Sequence, residues 1–203
     1  MRFLLSLALG YLLGAVNPAA ILGKLKNLNL RELGSKNLGA SNAMLTMGKG
    51  YGMLVMILDI GKAYVSAVIA QWMFPKLAVA GMTAALGAIL GHIYPWYLNF
   101  RGGKGLAAFG GMVLYYRPWI FAALLTLVCI LMLIVNYSYV APMTAAALFP
   151  ILVILSGADL MIIAIAITAS VLIAVKHWSN IARAKRGDEV KIRDIVSGKH
   201  PTK

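Results

Sequence analysis

Pro118–Val135 reads PWIFAALLTLVCILMLIV, a stretch without a charged or amide side chain. An α-helix rises about 1.5 Å per residue, so this stretch nearly spans the ~30 Å hydrocarbon core of a bilayer. The stretch therefore predicts a membrane-spanning helix, and it decides the class of fold for the rest of the chain.

Apolar segments of comparable character lie on both sides of this stretch. They are Phe3–Leu22, Tyr51–Phe74, Leu77–Leu98, Gly105–Tyr116, Tyr139–Ser156 and Leu160–Val175. Gly105–Tyr116 is predicted to be a short helix that crosses the membrane only in part, since a helix of that length rises only about 18 Å, and we expect it to pack inside the bundle. The sequence thus predicts an all-α polytopic membrane protein with seven transmembrane segments, one of them short. Arg2 before an apolar run is also typical of a signal peptide, but the length of the run favours a retained segment.

Composition excludes several other classes of protein. The chain has 203 residues, of which 61% are hydrophobic and 12% charged, with a mean hydropathy of +0.83. Soluble domains are about 25% charged, and disordered chains have low hydrophobicity. The net charge of +13 would suit a nucleic-acid partner, but the bulk of the chain is too apolar for that. We expect residues 1–203 to form a single integral membrane domain, in which the lone Cys129 has no partner for a disulfide.

The basic residues set the predicted orientation. If the loop after the first segment is cytoplasmic, 15 of the 19 Lys and Arg residues lie on that side and three lie on the other. Such a bias places the N-terminus outside and the C-terminus in the cytoplasm. Residues 181–203 are predicted to be a basic cytoplasmic tail, and membrane lipids are the partners that such a tail contacts.

Small polar residues gather on the same predicted side, first in Arg31–Asn42 (RELGSKNLGASN). Glycines allow the backbone to approach a ligand closely, and successive free N–H groups form anion-binding nests. The hydroxyl and amide side chains of this stretch add donors. A plain turn-rich connector has the same composition, so both interpretations stay open.

A second polar stretch, Asn99–Gly105 (NFRGGKG), precedes the short apolar segment. Open glycine backbone, the charge of Lys104 and a helix N-terminus together favour a bound phosphate. The stretch is not a P-loop, because Leu98 and Gly105 stand where Gly and Ser or Thr are required. The alternative is a basic anchor at the membrane surface.

The third stretch is His177-Trp-Ser-Asn180. The i, i+3 spacing puts His177 and Asn180 on one helical face, where histidine can exchange a proton or donate to a phosphate. The alternative is an interfacial histidine beside Trp178. Within the apolar segments, Asp59 and Lys62 have a spacing that predicts an ion pair, and His92 is either functional or a structural hydrogen-bonding residue.

These stretches are cationic, rich in donors and nearly free of carboxylates, which suits a phosphate-bearing substrate. The apolar bundle suits an acyl chain, so an enzyme of phospholipid synthesis is favoured. A small-anion membrane transporter is the competing hypothesis, suggested by polar residues inside the apolar segments. No cluster of ligand-type residues has the spacing of a metal site, so no metal is expected.

Three motifs resemble those of the bacterial acyl-phosphate:glycerol-3-phosphate acyltransferases (PlsY type): Leu30–Asn42, Gly91–Pro95 with Phe100–Gly105, and His177–Ile181. The resemblance implies seven membrane segments in the bacterial plasma membrane and an active site on the cytoplasmic side. It implies transfer of an acyl group from acyl phosphate to the 1-hydroxyl of glycerol 3-phosphate, giving lysophosphatidic acid and phosphate. It implies no cofactor, and we expect a monomer.

The resemblance also implies roles for matching residues. The expected catalytic residues are His177, Asn180, Lys104 and Ser35. The expected phosphate-binding residues are Gly34, Asn37, Gly39, Ser41, Asn42, Arg101, Gly102, Gly103 and Gly105. His92 and Lys36 are expected to play secondary parts.

The sequence departs from the family pattern at three motif positions and at one position shortly after the first motif. Lys36 replaces a glycine, Ser41 a threonine, Leu45 an arginine and Ser179 an acidic residue. Loss of the arginine removes a fork-shaped phosphate donor that lysine replaces poorly. A paralogue that acylates another hydroxyl acceptor, or an inactive member that binds acyl phosphate, therefore stays an alternative.

Overall fold

The structure, a computed structural model, describes residues 1–189 and 191–193. In this part of the chain the regular structure is helical, which confirms the predicted all-α class, and each predicted apolar segment contains a helix. The α-helices are α1 (Arg2–Ala15), α2 (Pro18–Leu25), α3 (Ala40–Met47), α4 (Lys49–Met73), α5 (Ala80–Ile93), α6 (Leu106–Tyr116), α7 (Pro118–Val135), α8 (Val140–Leu155) and α9 (Leu160–Lys185).

Within the described residues, four helical segments are long and apolar enough to cross a membrane. They are Arg2–Leu25, Lys49–Met73, Pro118–Val135 and Leu160–Lys185. The remaining helices are shorter, so the predicted number of seven crossings stays a prediction.

The first predicted segment is divided at Val16 and Asn17, between α1 and α2. The side-chain oxygen of Asn17 accepts the backbone N–H of Ala20 at 2.8 Å, and Pro18 occupies the first turn of α2. An amide cap followed by proline is a typical helix start, because proline has no N–H to satisfy. The break therefore follows from local chemistry.

Two other predicted boundaries are wrong. The third segment was expected to reach Leu98, but α5 ends at Ile93 and a 3-10 turn covers Trp96–Leu98. Pro95 disfavours helical backbone at the preceding residue, which explains the early end. The last segment was expected to end at Val175, but α9 continues to Lys185, so His177 and Asn180 lie within the helix.

The predicted basic tail also needs correction at its start. Residues 181–185 belong to α9, and the described residues after it contact the connection between α7 and α8. The backbone N–H of Arg193 donates to the side-chain oxygen of Asn136 at 2.9 Å, and Ser138 donates to Glu189 at 2.6 Å. These residues are therefore packed rather than free, while Val190 and residues 194–203 lie outside the described part.

The chain forms two compact units, Met1–Arg117 and the part from Pro118 onward. In the first unit α5 is buried on all sides, with 13 of its 14 residues inaccessible. In the second unit, Phe149 of α8 and Ile173 of α9 are fully buried.

Glycines allow α1 and α5 to approach until their backbones touch. A Cβ added at Gly10 would overlap the carbonyl of Ala84, and one at Gly14 would overlap Ala88. On the other helix, a Cβ at Gly87 would overlap the Leu7 carbonyl. Small residues at such positions are how membrane helices pack, because hydrocarbon gives no hydrophobic drive to associate.

We expect Gly10→Ala to lower the free energy of unfolding by about 1–3 kcal/mol, because the new methyl group displaces a backbone rather than a side chain. The matched control is Gly61→Ala in α4, where an added Cβ meets nothing within 4 Å. The control should be neutral or gain about 0.5–1 kcal/mol from helix propensity. Thermal unfolding of both variants in detergent makes the comparison, and equal midpoints would contradict the packing argument.

Candidate functional site

The first polar stretch is a turn-rich loop that ends in a helix, which corrects the expectation of a loop through residue 42. Ala40, Ser41 and Asn42 form the first turn of α3. Residues 30–39 (called the 30–39 loop below) precede it. Within this loop the backbone N–H of Lys36 donates to the carbonyl of Leu33 at 3.0 Å, closing a turn around Ser35.

The Asn42 side chain fixes the 30–39 loop through hydrogen bonds to its backbone. Its side-chain oxygen accepts the N–H of Ser35 at 2.7 Å, and its side-chain nitrogen donates to the carbonyls of Leu30 at 2.8 Å and Leu33 at 3.2 Å. The side chain is fully buried. These are the contacts of a residue that shapes the loop, and the phosphate-binding role expected of Asn42 stays a prediction.

The backbone around Ser35 takes unusual dihedral angles. Gly34 has φ +56° and Lys36 has φ +58°, both in the left-handed region. Glycine enters this region at little cost, whereas a residue with a Cβ is strained there. The family pattern has glycine at the position of Lys36. The backbone conformation of the loop at this position favours glycine as well. Ser35, Lys36 and Gly34 are exposed.

The second polar stretch, residues 99–105 (the 99–105 loop), leads directly into α6. The backbone N–H groups of Gly102 and Gly103 donate to the carbonyls of Ile93 at 3.0 Å and His92 at 3.1 Å. Gly105 has φ +87° and is the N-cap of α6, so Lys104 lies immediately before the helix. The predicted order of glycine loop, lysine and helix N-terminus is confirmed.

The two loops are joined within the first unit. The Arg31 guanidinium donates to the carbonyl of Leu98 at 2.8 Å and to that of Arg101 at 2.6 Å. At Gly103, an added Cβ would overlap the His92 ring and lie 2.6 Å from the Leu38 carbonyl, so the backbones are in contact. The predicted convergence of these two stretches is confirmed. Arg31 was missed as a site residue, because nothing in the sequence links it to partners some 70 positions away.

A buried polar cluster lies next to the 99–105 loop. Lys62 Nζ is 2.7 Å from Asp59 Oδ1, which confirms the predicted ion pair. His92 joins it, with Nδ1 2.9 Å from Lys62 Nζ and 3.2 Å from Asp59 Oδ1. The 30-residue separation of His92 from Lys62 carries no periodic signal, so the sequence does not predict that His92 joins the pair.

The third polar stretch belongs to the second unit, where α9 carries both of its expected catalytic residues. Nδ1–H of His177 donates to the carbonyl of Ile173 one turn earlier, at 2.9 Å. That bond places the proton of the neutral ring on Nδ1. Asn180 donates from its side-chain nitrogen to Glu189 Oε1 at 2.8 Å, and both His177 and Asn180 are buried.

Glu189 organises this stretch and was missed by the sequence analysis. Its Oε1 accepts from Ser138 and Asn180, and its Oε2 accepts from Arg183 Nε at 2.8 Å. A buried carboxylate requires this degree of pairing to offset its lost hydration. Its burial is not evident from the sequence, because Glu189 lies in the predicted basic tail. The one available signal is that Glu189 is one of only six acidic residues in the chain.

In the described residues, no group of three or more His, Cys, Asp or Glu side chains could hold a metal ion. The candidate site residues fall into two groups, the joined loops of the first unit and, described by itself, the His177–Asn180 stretch of the second. Their described groups are hydrogen-bond donors, cations and an imidazole.

Comparison with known proteins points to one family. The family model for glycerol-3-phosphate acyltransferase matches residues 4–187. Glycerol-3-phosphate acyltransferases of Staphylococcus aureus strains RF122 and JH9 are each 33% identical over 201 residues, covering 95% of this chain and 99% of the relative.

Two solved structures have the same fold. One is the glycerol 3-phosphate form of PlsY, an integral membrane glycerol 3-phosphate acyltransferase, with a TM-score of 0.90 and 30% identity over 97% of this chain and 98% of that one. The lysophosphatidic acid form of PlsY gives a TM-score of 0.87 and 29% identity over 97% and 100% of the two chains. The resemblance seen in the three motifs is thus confirmed over nearly the whole length.

We expect Asn42→Ala to lower the free energy of unfolding by about 1–3 kcal/mol, because it leaves the buried Leu30 carbonyl, the part-buried Leu33 carbonyl and the N–H of Ser35 without their partners. Ser41→Ala is the control, since Ser41 is the exposed neighbour in the same helical turn and its loss should change stability by less than about 0.5 kcal/mol. Thermal unfolding measures both. An Asn42→Ala protein as stable as the control would contradict the loop-shaping role.

We expect Glu189→Gln to destabilise the protein by about 1–3 kcal/mol, because the neutral amide loses the charge-assisted bond to Arg183 and adds a donor opposite donors. Asp188→Asn is the matched control at the adjacent acidic residue, whose 3.3 Å pair with Arg186 is exposed. Such surface pairs contribute at most about 1 kcal/mol. Chemical or thermal unfolding distinguishes the two, and a larger effect of Asp188→Asn would overturn the assignment.

Proposed function

The chain belongs to the glycerol-3-phosphate acyltransferase family, and from this premise we propose that it moves a fatty acyl group from acyl phosphate to the 1-hydroxyl of glycerol 3-phosphate. The products are lysophosphatidic acid and inorganic phosphate, at the start of phospholipid synthesis. The observation that supports the proposal most is the junction of the 30–39 and 99–105 loops, which brings a lysine and two glycine-rich backbones together in an otherwise apolar chain.

Phosphate binding follows from the chemistry of the joined loops. Lys104 supplies a point charge immediately before the N-terminus of α6, where backbone N–H groups have no partner within the helix and carry partial positive charge. The N–H groups of Gly102 and Gly103 are already donated to the Ile93 and His92 carbonyls, so these two glycines shape the loop that carries Lys104. Gly105, at the start of α6, is the glycine that we assign to close approach of the phosphate. We assign Ser35, Asn37 and the glycines of the 30–39 loop to phosphate contacts from the other side, with Arg101, Lys36 and Ser41 nearby in sequence.

Acyl phosphate is a mixed anhydride, so its leaving group is already good. The hydroxyl oxygen of the acceptor attacks the carbonyl carbon, the bond from that carbon to the phosphate oxygen breaks, and inorganic phosphate departs. The hydroxyl proton goes to Nε2 of His177 or to a phosphate oxygen. Positioning of two anions and stabilisation of the oxyanion are then the main tasks of the protein, with Asn180 as a donor to phosphate or carbonyl.

A second candidate function rests on Leu45. It lies in α3, half-buried, at the place where the family pattern has arginine. Without that guanidinium, part of the recognition of the acceptor phosphate is lost. An acyltransferase acting on another hydroxyl compound is therefore the alternative.

The membrane arrangement of the proposed enzyme follows from its charges. We propose a multi-pass, single-domain monomer of the bacterial plasma membrane with seven segments, an outside N-terminus and a cytoplasmic C-terminal tail. The active site is then on the cytoplasmic side. The excess of Lys and Arg in the three polar stretches supports this orientation.

Phosphate release from palmitoyl phosphate by purified protein tests the function, measured with and without glycerol 3-phosphate while the lipid product is followed. Release that depends on the acceptor, with lysophosphatidic acid formed, supports the proposal. Release with glycerol or another hydroxyl compound alone identifies the second candidate. Uptake of labelled glycerol 3-phosphate into proteoliposomes, without product, would instead identify a transporter.

We expect Lys104→Ala to lower kcat/KM by about 100-fold or more, as for loss of one donor that acts on the transition state. Lys76→Ala, an exposed lysine between α4 and α5, is the control and should keep the rate of the unaltered protein. Steady-state rates at several glycerol 3-phosphate concentrations make the measurement. Retained activity of Lys104→Ala would remove Lys104 from the site.

A further inference from the structure

Lys62 makes three hydrogen bonds, one for each N–H of its ammonium group. The acceptors are Asp59 Oδ1 at 2.7 Å, the Val16 carbonyl at 2.7 Å and His92 Nδ1 at 2.9 Å. An ammonium group has three donors and no acceptor, so its capacity is filled. Asp59 alone would suffice to neutralise the charge. The two further bonds reach different parts of the chain.

The first of these bonds leads to the 30–39 loop. Val16 lies in the break between α1 and α2, next to Asn17, which is fully buried. The side-chain nitrogen of Asn17 donates to the Leu38 carbonyl at 3.3 Å. Fixing the Val16 carbonyl therefore fixes the residue that holds the end of the 30–39 loop.

The second bond leads to the 99–105 loop. The His92 carbonyl accepts the N–H of Gly103 at 3.1 Å, and the His92 ring lies against Gly103 so closely that a Cβ would overlap its Nε2. His92 Nδ1 lies 2.9 Å from Lys62 Nζ and 3.2 Å from Asp59 Oδ1, so the ion pair sets the orientation of the ring, and in the tautomer with its proton on Nε2 the Nδ1 atom accepts from Lys62. The position of Gly103, next to Lys104, thus depends on a side chain that Lys62 holds.

We propose that Lys62 is a positioning residue that couples the two loops, by holding the Val16–Asn17 break with one N–H and the His92 ring with another. The loops meet where Gly103 contacts the Leu38 carbonyl, and the ammonium sets that meeting point from the buried side. The effect of this coupling on catalysis rests on the proposed function, whereas the coupling itself does not.

The competing explanation is that Lys62 only neutralises buried Asp59. Lys62→Met alone would leave an unpaired buried carboxylate and would destabilise the protein under either explanation. The double variant Asp59→Leu/Lys62→Met removes both charges with side chains of similar shape, and such replacements are often neutral for stability. It separates charge compensation from positioning.

Hydrogen–deuterium exchange followed by mass spectrometry reads the coupling directly on the full chain in detergent. We expect exchange in peptides covering 30–39 and 99–105 to accelerate together, about tenfold or more, in both Lys62→Met and the double variant, as local opening becomes easier. Lys49→Met, an exposed lysine at the start of the same helix, should leave both peptides unchanged. Lys62→Gln keeps two N–H donors without the charge and should show the same joint effect at smaller amplitude.

Restored thermal stability together with unaltered exchange in both loops of the double variant would overturn the proposal, as would acceleration in one loop only. Should the double variant not fold, Asp59→Asn/Lys62→Met, which also removes both charges and leaves no N–H donor at position 62, decides, and unaltered exchange in its two loops overturns the proposal.

The KM for glycerol 3-phosphate provides a second measurement, which a change in stability alone does not alter. If the unaltered protein is active, the double variant should raise KM for glycerol 3-phosphate about tenfold at a temperature where it is fully folded, and an unchanged KM would contradict the positioning role. An inactive unaltered protein would contradict the proposed function instead, and the exchange result would stand by itself.

Discussion

The structure depends on one constraint: in a chain this apolar, a polar group away from water must find its partner inside the protein. The constraint is strongest where a helix is interrupted, because the broken turn exposes N–H and carbonyl groups. In the first unit two interruptions are met by cationic side chains. Lys62 takes the carbonyl of Val16 between α1 and α2, and Arg31 takes those of Leu98 and Arg101 after the 3-10 turn.

Satisfying those groups has a consequence for the candidate site. A loop whose carbonyls are occupied by cations and amides has its remaining N–H groups held in place before any ligand arrives. Donors that need no reorganisation stabilise developing negative charge far better than donors that must be recruited from a mobile chain. The same bonds that satisfy the loops within an apolar protein would therefore serve the phosphate binding that we propose for them.

Local patterns were enough to predict most helices but few of the contacts. The apolar run Pro118–Val135 became a helix with those bounds, because the flanking Pro118 and Asn136 are themselves a start and a stop. The end of α9 was placed too early, because its last turns carry polar residues that hydropathy cannot distinguish from a tail. Glu189 and Arg31 depend on partners that only the fold brings near, so their burial and bonding were invisible in one sequence. The geometry of the two loops is observed in the structure. The resemblance to the family motifs is the source of the individual roles proposed for Ser35, Lys104, His177 and Asn180.

The departures at Lys36 and Leu45 are best considered together. Lys36 has φ +58°, a conformation that costs a residue with a Cβ about 1–2 kcal/mol, and its side chain is exposed. The loop keeps the shape that the family glycine would give it, at an energetic cost, and adds a cation at its surface. Leu45 removes a cation from α3, only nine positions further along. A flexible ammonium binds phosphate as a point charge, whereas a guanidinium binds it as a fixed fork. In the proposed enzyme this exchange would therefore keep the attraction for an anion while relaxing its orientation. Acceptor selectivity is therefore the property in which this chain should differ most from its relatives, and the acyl-transfer chemistry the property in which it should differ least.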